Sequence, residues 1–163
     1  MKKLNGISVI LPTYNFIDVF KKTLNNILNQ DLSPDEIIIV DSSTNDEIKQ
    51  YLNHFKSKIN IIYRSVKKAY PGEARNIAAK ISKFNILAFI DSKTVPEKNW
   101  LSSGYKALEK DNFDIFFGTT QYNSETKYQH YLNAATFGNI IHETTPGSII
   151  KADIFFADNQ FIE

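Results

Sequence analysis

Four short runs of β-branched and aliphatic residues, each followed by an amphipathic stretch of helical period, set the tightest limit on what this chain can fold into. The runs are Ile7-Ser8-Val9-Ile10-Leu11, Ile37-Ile38-Ile39-Val40, Ile59-Asn60-Ile61-Ile62-Tyr63 and Ile86-Leu87-Ala88-Phe89-Ile90. Most are apolar at odd and even positions alike. A strand with one wet face would alternate, so the pattern calls for buried parallel strands covered by helices on both sides. Between the first two runs, Ile17, Phe20, Leu24, Ile27 and Leu28 draw one apolar stripe, opposed by Lys21, Lys22, Asn25 and Asn29. A second helix is expected from after Thr44 to about Phe55, with Ile48, Tyr51, Leu52 and Phe55 inward. Pro71-Gly72 opens a third with Ala74, Ala78 and Ile81 toward the sheet, and a fourth starting near Pro96 carries Trp100, Leu101, Tyr105 and Leu108. The β-α-β-α-β-α-β-α order implies right-handed crossovers and an α/β fold: a doubly wound, mostly parallel sheet with helices on both faces.

After Asp111 the pattern loosens. Residues 113–117 and 147–151 read as strands, 122–127 as a polar connection, and 128–141 as a helix or irregular segment. No repeat, low-complexity tract or linker divides the chain, and its 163 residues amount to about one domain. With 19 Lys+Arg against 18 Asp+Glu, the formal charge of +1 argues against a nucleic-acid or anionic-membrane binder, which needs a cationic surplus. The absence of cysteine removes disulfides, thiolate metal sites and cysteine nucleophiles. No stretch approaches the ~20 apolar residues that cross a bilayer, and the amino-terminal apolar run is too short for a signal-peptide core. A soluble, cytoplasmic protein is expected, any membrane association coming from regions not present in this chain.

Open α/β sheets bind ligands beyond the carboxyl ends of their strands. Here those ends lead into Pro12-Thr13-Tyr14-Asn15, Asp41-Ser42-Ser43-Thr44-Asn45-Asp46 and Asp91-Ser92-Lys93-Thr94. Tyr14 offers a flat face for a base, Asp41 an acceptor for an imide N–H, and Asp91 an anchor for a ribose hydroxyl or a cation. Each also has a structural explanation: Asp41 with its Ser and Thr neighbours as a helix N-cap cluster, Asp91 as a cap or turn residue, Tyr14 as a packed aromatic. Their shared position at one sheet edge favours a nucleotide site. The chain lacks the Gly-x-Gly-x-x-Gly of dinucleotide enzymes and the Gly-x4-Gly-Lys-Ser/Thr of P-loop NTPases. A receiver domain would want an acceptor Asp where the third strand ends in Tyr63-Arg64-Ser65.

Four stretches in this order resemble the family 2 glycosyltransferases, which have a GT-A nucleotide-diphosphosugar-binding fold: residues 7–15, 30–46, Pro71-Gly72-Glu73-Ala74-Arg75-Asn76, and residues 89–96 at the position of an Asp-x-Asp motif. Gly147-Ser148-Ile149-Ile150 through Phe161-Ile162-Glu163 is a weaker echo of the acceptor side. The resemblance implies one domain over 1–163, with residues 1–110 the nucleotide-binding half and 111–163 the start of the acceptor-side half. It implies that Pro12, Thr13 and Tyr14 line the base pocket, that Asp41 bonds the base edge, that Arg75 positions the diphosphate, and that Asp91 meets ribose or metal. The implied reaction moves a sugar from a nucleotide-diphosphate donor, UDP being the first choice, to a hydroxyl of a carbohydrate or lipid-linked acceptor, with inversion, in polysaccharide or glycolipid synthesis.

Two departures stand out. Lys93 occupies the second acidic position of the Asp-x-Asp motif, so Mg²⁺ or Mn²⁺ would lose a carboxylate ligand. Either Lys93 itself neutralises the diphosphate, or it points into solvent and Asp91, the diphosphate and waters hold the ion. The family's acidic catalytic-base motif is also missing, and nothing in the spacing of Glu143, Asp158 and Glu163 selects one of them. The chain then reads as a fragment of a longer enzyme or as a shortened, noncatalytic nucleotide-sugar-binding or interaction module. Ser42-Ser43 stand where the family tends to have an acidic residue and Gly. His54, on an outer helix face, His130 and His142 make a weak metal set; Tyr128, Tyr131 and Phe137 read as core packing ahead of an acceptor wall, and Lys67-Lys68 as a solvated turn.

Overall fold

The computed structural model describes residues 3–121, 126–135, 140–141, 145–158 and 161. The elements follow as β1 (Leu4–Thr13), α1 (Ile17–Leu28), β2 (Glu36–Asp41), α2 (Glu47–His54), β3 (Asn60–Ser65), α3 (Pro71–Ile81), β4 (Phe84–Phe89) and α4 (Trp100–Glu109). Shorter ones complete the chain: β5 (Ile115–Phe116), β6 (Thr120–Gln121), α5 (Lys127–Ala135), β7 (Ile140–Ile141), β8 (Ile149–Lys151) and α6 (Ala152–Asp158). One sheet runs β3-β2-β1-β4-β8-β5; β1 to β4 are mutually parallel, and β8 lies antiparallel to both β4 and β5. β6 and β7 form a separate antiparallel pair.

Both sides of the sheet are covered, which is why the central runs need no polar alternation. On one face Val9, Leu11, Ile37, Ile39, Ile86 and Ala88 pack against Phe20, Leu24 and Ile27 of α1, Ile48 of α2, and Trp100, Leu101 and Leu108 of α4. On the other, Ile10, Ile38, Val40, Leu87 and Phe89 meet Ala74, Ala78 and Ala79 of α3 and Ala152 and Phe155 of α6. Each aliphatic side chain so buried contributes about 1.5–3 kcal/mol, so stability concentrates in β2-β1-β4.

At the amino edge of these strands, buried Glu36 ties three segments together. Its Oε1 accepts from the Ser8 hydroxyl at 2.7 Å and from the Lys83 N–H at 2.7 Å.

Several sequence expectations need correction. Among the described residues the third run is an edge strand, with β2 alone beside it, and its residues are partly exposed rather than buried. Ile81 is 41% exposed because Ala79 takes the inward place at the end of α3. The fourth helix starts at Trp100, and Tyr105 faces outward because Gly104 holds the inward position, where a Cβ would collide with the Ile149 side chain. Tyr128 and Tyr131 on α5 are each 73% exposed and are not core residues. Phe137, His142, Glu143 and Glu163, with the side chain of Asp158, lie outside the described residues. His54 and Lys67-Lys68 are exposed, as expected.

No helix among the described residues is long and apolar enough to cross a membrane.

Candidate functional site

The chain winds outward from β1 through β2 to β3, then crosses by α3 to β4 on β1's other side, so connections diverge between β1 and β4. Such a switch point opens a crevice at the carboxyl ends of the strands. Adjacent strands lie about 4.8 Å apart, so the rim from β2 across β1 to β4 spans about 10 Å, the scale of a nucleoside.

The β1 and β2 ends are locked together. Thr13 and Asp41 are register partners, and the Ser42 N–H donates to the Thr13 carbonyl at 3.0 Å. The Asn15 N–H donates to Ser43 Oγ at 2.7 Å, and the Thr44 N–H to Asn15 Oδ1 at 3.1 Å. Asp41, 2% exposed, accepts from the Ser43 N–H on Oδ1 at 2.9 Å and from the Tyr63 hydroxyl on Oδ2 at 2.8 Å. It therefore does not cap α2, whose N-cap is Asp46. A carboxylate has about four acceptor positions, so two donors leave capacity for a ligand N–H. Burial, reinforced by donation to Asp41, raises the Tyr63 pKa well above the usual phenol value.

The β4 end is organised from the opposite face. Arg75 on α3, with its side chain 10% exposed, pairs through Nη2 with Asp91 Oδ1 at 2.5 Å. The Asp91 backbone carbonyl closes a turn with the Thr94 N–H, and α4 has Asn99 as its N-cap. Buried Thr23 on α1 places its hydroxyl 2.8 Å from the Ser92 carbonyl and 3.0 Å from that of Thr94. Lys93, between them, carries its Nζ 4.6 Å from the Phe16 ring centroid and so bridges the β4 and β1 loops.

Pro12 and Thr13 are buried, and Tyr14 is 53% exposed, so it is not a packed aromatic. Pro12, Thr13, Tyr14 and Asp41 thus share the adjoining β1 and β2 ends, while Arg75, Asp91 and Lys93 gather at the end of β4. Among the described residues, three buried side-chain atoms lack a hydrogen-bond partner: Thr13 Oγ1 and Arg75 Nε at this rim, and Glu36 Oε2 at the opposite edge of the sheet. Buried polar atoms left unpaired are costly, and a water or a ligand atom that reached them would add bonds. The same residues contain no group of three or more His, Asp or Glu arranged to hold a metal.

Sequence reasoning placed Asn15 and Asn76 in the right stretches without giving them a role, and missed Phe16, Thr23 and Tyr63. Tyr63 alone had an indirect signal: it lies in register with Ile39, whose face is also that of Asp41 two residues on, but this requires knowing which strand neighbours β2. Asn76 stands beside Arg75; its amide donates to the Phe161 carbonyl at 2.8 Å and accepts from the Phe161 N–H at 2.9 Å. The Phe161 ring lies 5.2 Å from the Arg75 guanidinium.

The family model for "Glycosyl transferase family 2" matches residues 8–160. The chondroitin synthase of Escherichia coli is 29% identical over 86% of this chain and 21% of its own length. Across the first three curated relatives the chain spans 18% to 24% of their length. Among solved structures, S. aureus TarS 1–349 in complex with UDP superposes with a TM-score of 0.66 at 23% identity, over 91% of this chain and 47% of that one. The mannosyltransferase PcManGT from Pyrobaculum calidifontis, in complex with GDP-Man and Mn²⁺, gives a TM-score of 0.67 at 18% identity, over 93% and 46%. At these identities the structural likeness shows the shared GT-A fold.

Proposed function

Because the chain belongs to glycosyl transferase family 2, we propose that it is the donor-binding part of a glycosyltransferase that moves a sugar from a nucleoside diphosphate to a hydroxyl acceptor in polysaccharide or glycolipid synthesis. Residues 1–110 supply the nucleotide half and 111–163 begin the acceptor side. The observation that carries this reading is the convergence of the β1, β2 and β4 ends at one switch point, with a buried carboxylate on one side and an Arg–Asp pair on the other. The exposed Tyr14 ring stacks on the base, Asp41 accepts from the base edge, and Asp91 meets the ribose. Arg75 lies where a leaving diphosphate gathers charge, and fixed cations there lower the barrier because the charge they face grows in the transition state. The two structural neighbours, one in complex with UDP and the other with GDP-Man and Mn²⁺, support a nucleotide-sugar donor, UDP-linked in the first instance.

A second reading, a noncatalytic nucleotide-sugar-binding module, is favoured by one feature: Lys93 stands at the second acidic position of the motif.

A thermal-shift panel of UDP, GDP, CDP, ADP and their sugars tests the donor site, since a ligand that prefers the folded state raises its melting point by mass action. Asp41→Ala and Asp91→Ala should each weaken nucleotide binding by about 1–3 kcal/mol, roughly 5- to 150-fold. No shift with any nucleotide, or unchanged affinity in both variants, would refute the assignment. Turnover of a donor sugar onto an acceptor separates the enzyme from the binding module.

A further inference from the structure

We propose that this donor site works without a divalent cation, the Lys93 ammonium neutralising the nucleoside diphosphate in the place such an ion would take; the proposal rests on the donor-site reading above.

The residues present do not fit a cation. Among the described residues the rim of β4 offers one carboxylate, Asp91, whose Oδ1 is already held by Arg75. Two residues on, an ammonium stands instead of a second carboxylate. Asp91, Arg75 and Lys93 together sum to one net positive charge, so an entering metal ion meets repulsion where it needs ligands. A diphosphate meets the reverse. Arg75 and Lys93 are both donors to phosphate oxygens, and charge-assisted bonds of that kind are the stronger class.

Lys93 is also held at both its backbone and its ammonium. The carbonyls on either side of it, Ser92 and Thr94, are both within reach of the buried Thr23 hydroxyl, so its backbone leaves from a fixed point. Its Nζ then rests 4.6 Å from the Phe16 ring centroid, and that ring is 58% exposed, so Phe16 is not a core residue that the lysine happens to graze. Phe16 follows Asn15, and both are left-handed, with φ of 54° and 53°. Two successive non-glycine residues in that region are costly and persist only when their surroundings enforce them. Here the Asn15 side chain and N–H are bonded to Thr44 and Ser43 of the β2 loop, and the Phe16 carbonyl accepts the Phe20 N–H at 3.1 Å. The strained loop thereby presents an aromatic face to the ammonium at the β1–β4 switch point. A cation over an aromatic face is attracted by the ring quadrupole, yet remains free to turn its N–H donors to an arriving anion.

The test is calorimetric titration of the chain with UDP, GDP, CDP and ADP, in excess EDTA and in Mn²⁺. The wild type should bind its preferred diphosphate with the same affinity in both buffers, within about threefold. Lys93→Ala should lose at least about tenfold in EDTA, and Lys93→Arg, which keeps the positive charge and its attraction to the Phe16 ring, should keep most of the affinity. Lys93→Asp, which restores the acidic pair, should bind poorly in EDTA and recover at least about tenfold in Mn²⁺. Electron paramagnetic resonance should then detect bound Mn²⁺ in Lys93→Asp and not in the wild type. Lys93 is exposed, so these variants should fold, and unchanged melting points of the free proteins confirm it. A wild type that binds only with Mn²⁺, or Lys93→Ala that binds as the wild type does in EDTA, overturns the proposal and leaves the donor-site reading standing. Absence of binding by all four diphosphates in both buffers overturns the two together.

Discussion

Replacing Tyr63 by Phe removes one oxygen and tests the geometry on the β2 side of the crevice. The Tyr63 hydroxyl is one of two donors to the Asp41 carboxylate, at 2.8 Å; the other is the Ser43 N–H. Hydrogen bonds to charged groups contribute about 1.5–3 kcal/mol. Tyr63 is on the edge strand and partly exposed, so water can replace part of the lost bond, and Tyr63→Phe should cost about 1–2 kcal/mol, or about 3–6 °C in Tm. The ring remains against the core, so the urea midpoint should fall with an unchanged slope.

The alkaline limb supplies the sharper reading. Burial first, then the bond to Asp41, raises the Tyr63 pKa in the folded protein. The unfolded chain therefore releases this proton at about pH 10, while the native state keeps it. Above that pH the unfolded state binds fewer protons, so stability falls as pH rises, by up to about 1.4 kcal/mol per pH unit from this group. Below about pH 10 the contribution is fully present. The wild-type advantage over Tyr63→Phe should thus be flat from neutrality to about pH 9 and shrink above about pH 10. Equal stability of the two proteins, or parallel curves through the alkaline range, would refute the bond and the orientation of Asp41 that depends on it.

Asn76→Ala strips both bonds to the Phe161 backbone and should lower stability by about 1–2 kcal/mol, with faster hydrogen exchange at the Phe161 amide; unaltered protection there would contradict the clamp. Glu36→Ala orphans the Ser8 hydroxyl and the Lys83 N–H and should cost about 2–4 kcal/mol in denaturant unfolding. Glu36→Gln, which retains an acceptor oxygen, should cost less than half as much, and equal losses would show that the carboxylate charge rather than the shared oxygen matters.

The parallel core and the amphipathic helices around it were legible in the chain because burial on both faces leaves a local mark: apolar residues at consecutive positions, and stripes three and four apart. The same holds for the polar residues at strand ends, since an α/β sheet puts those ends at one rim whatever its strand order. Edges and helix facings were less legible. Ile59 to Tyr63 reads as a buried parallel strand by composition, yet only assembly makes it the last strand on its side, and Tyr105 turns outward because Gly104 meets Ile149 from a distant strand.

What the sequence determined by itself is the class of fold and which side chains reach the rim; what the tertiary structure decided is whom each one meets. Tyr63 reaches Asp41 because β3 lies beside β2 in a particular register, and Arg75 reaches Asp91 because α3 crosses the sheet on the opposite face from α1 and α2. Lys93 lies over Phe16 because strand order sets the β1 and β4 loops side by side. Periodicity is a property of neighbours along the chain. Pairing of charge with charge, or donor with acceptor, depends on strand order and register, which set distances between residues far apart in sequence.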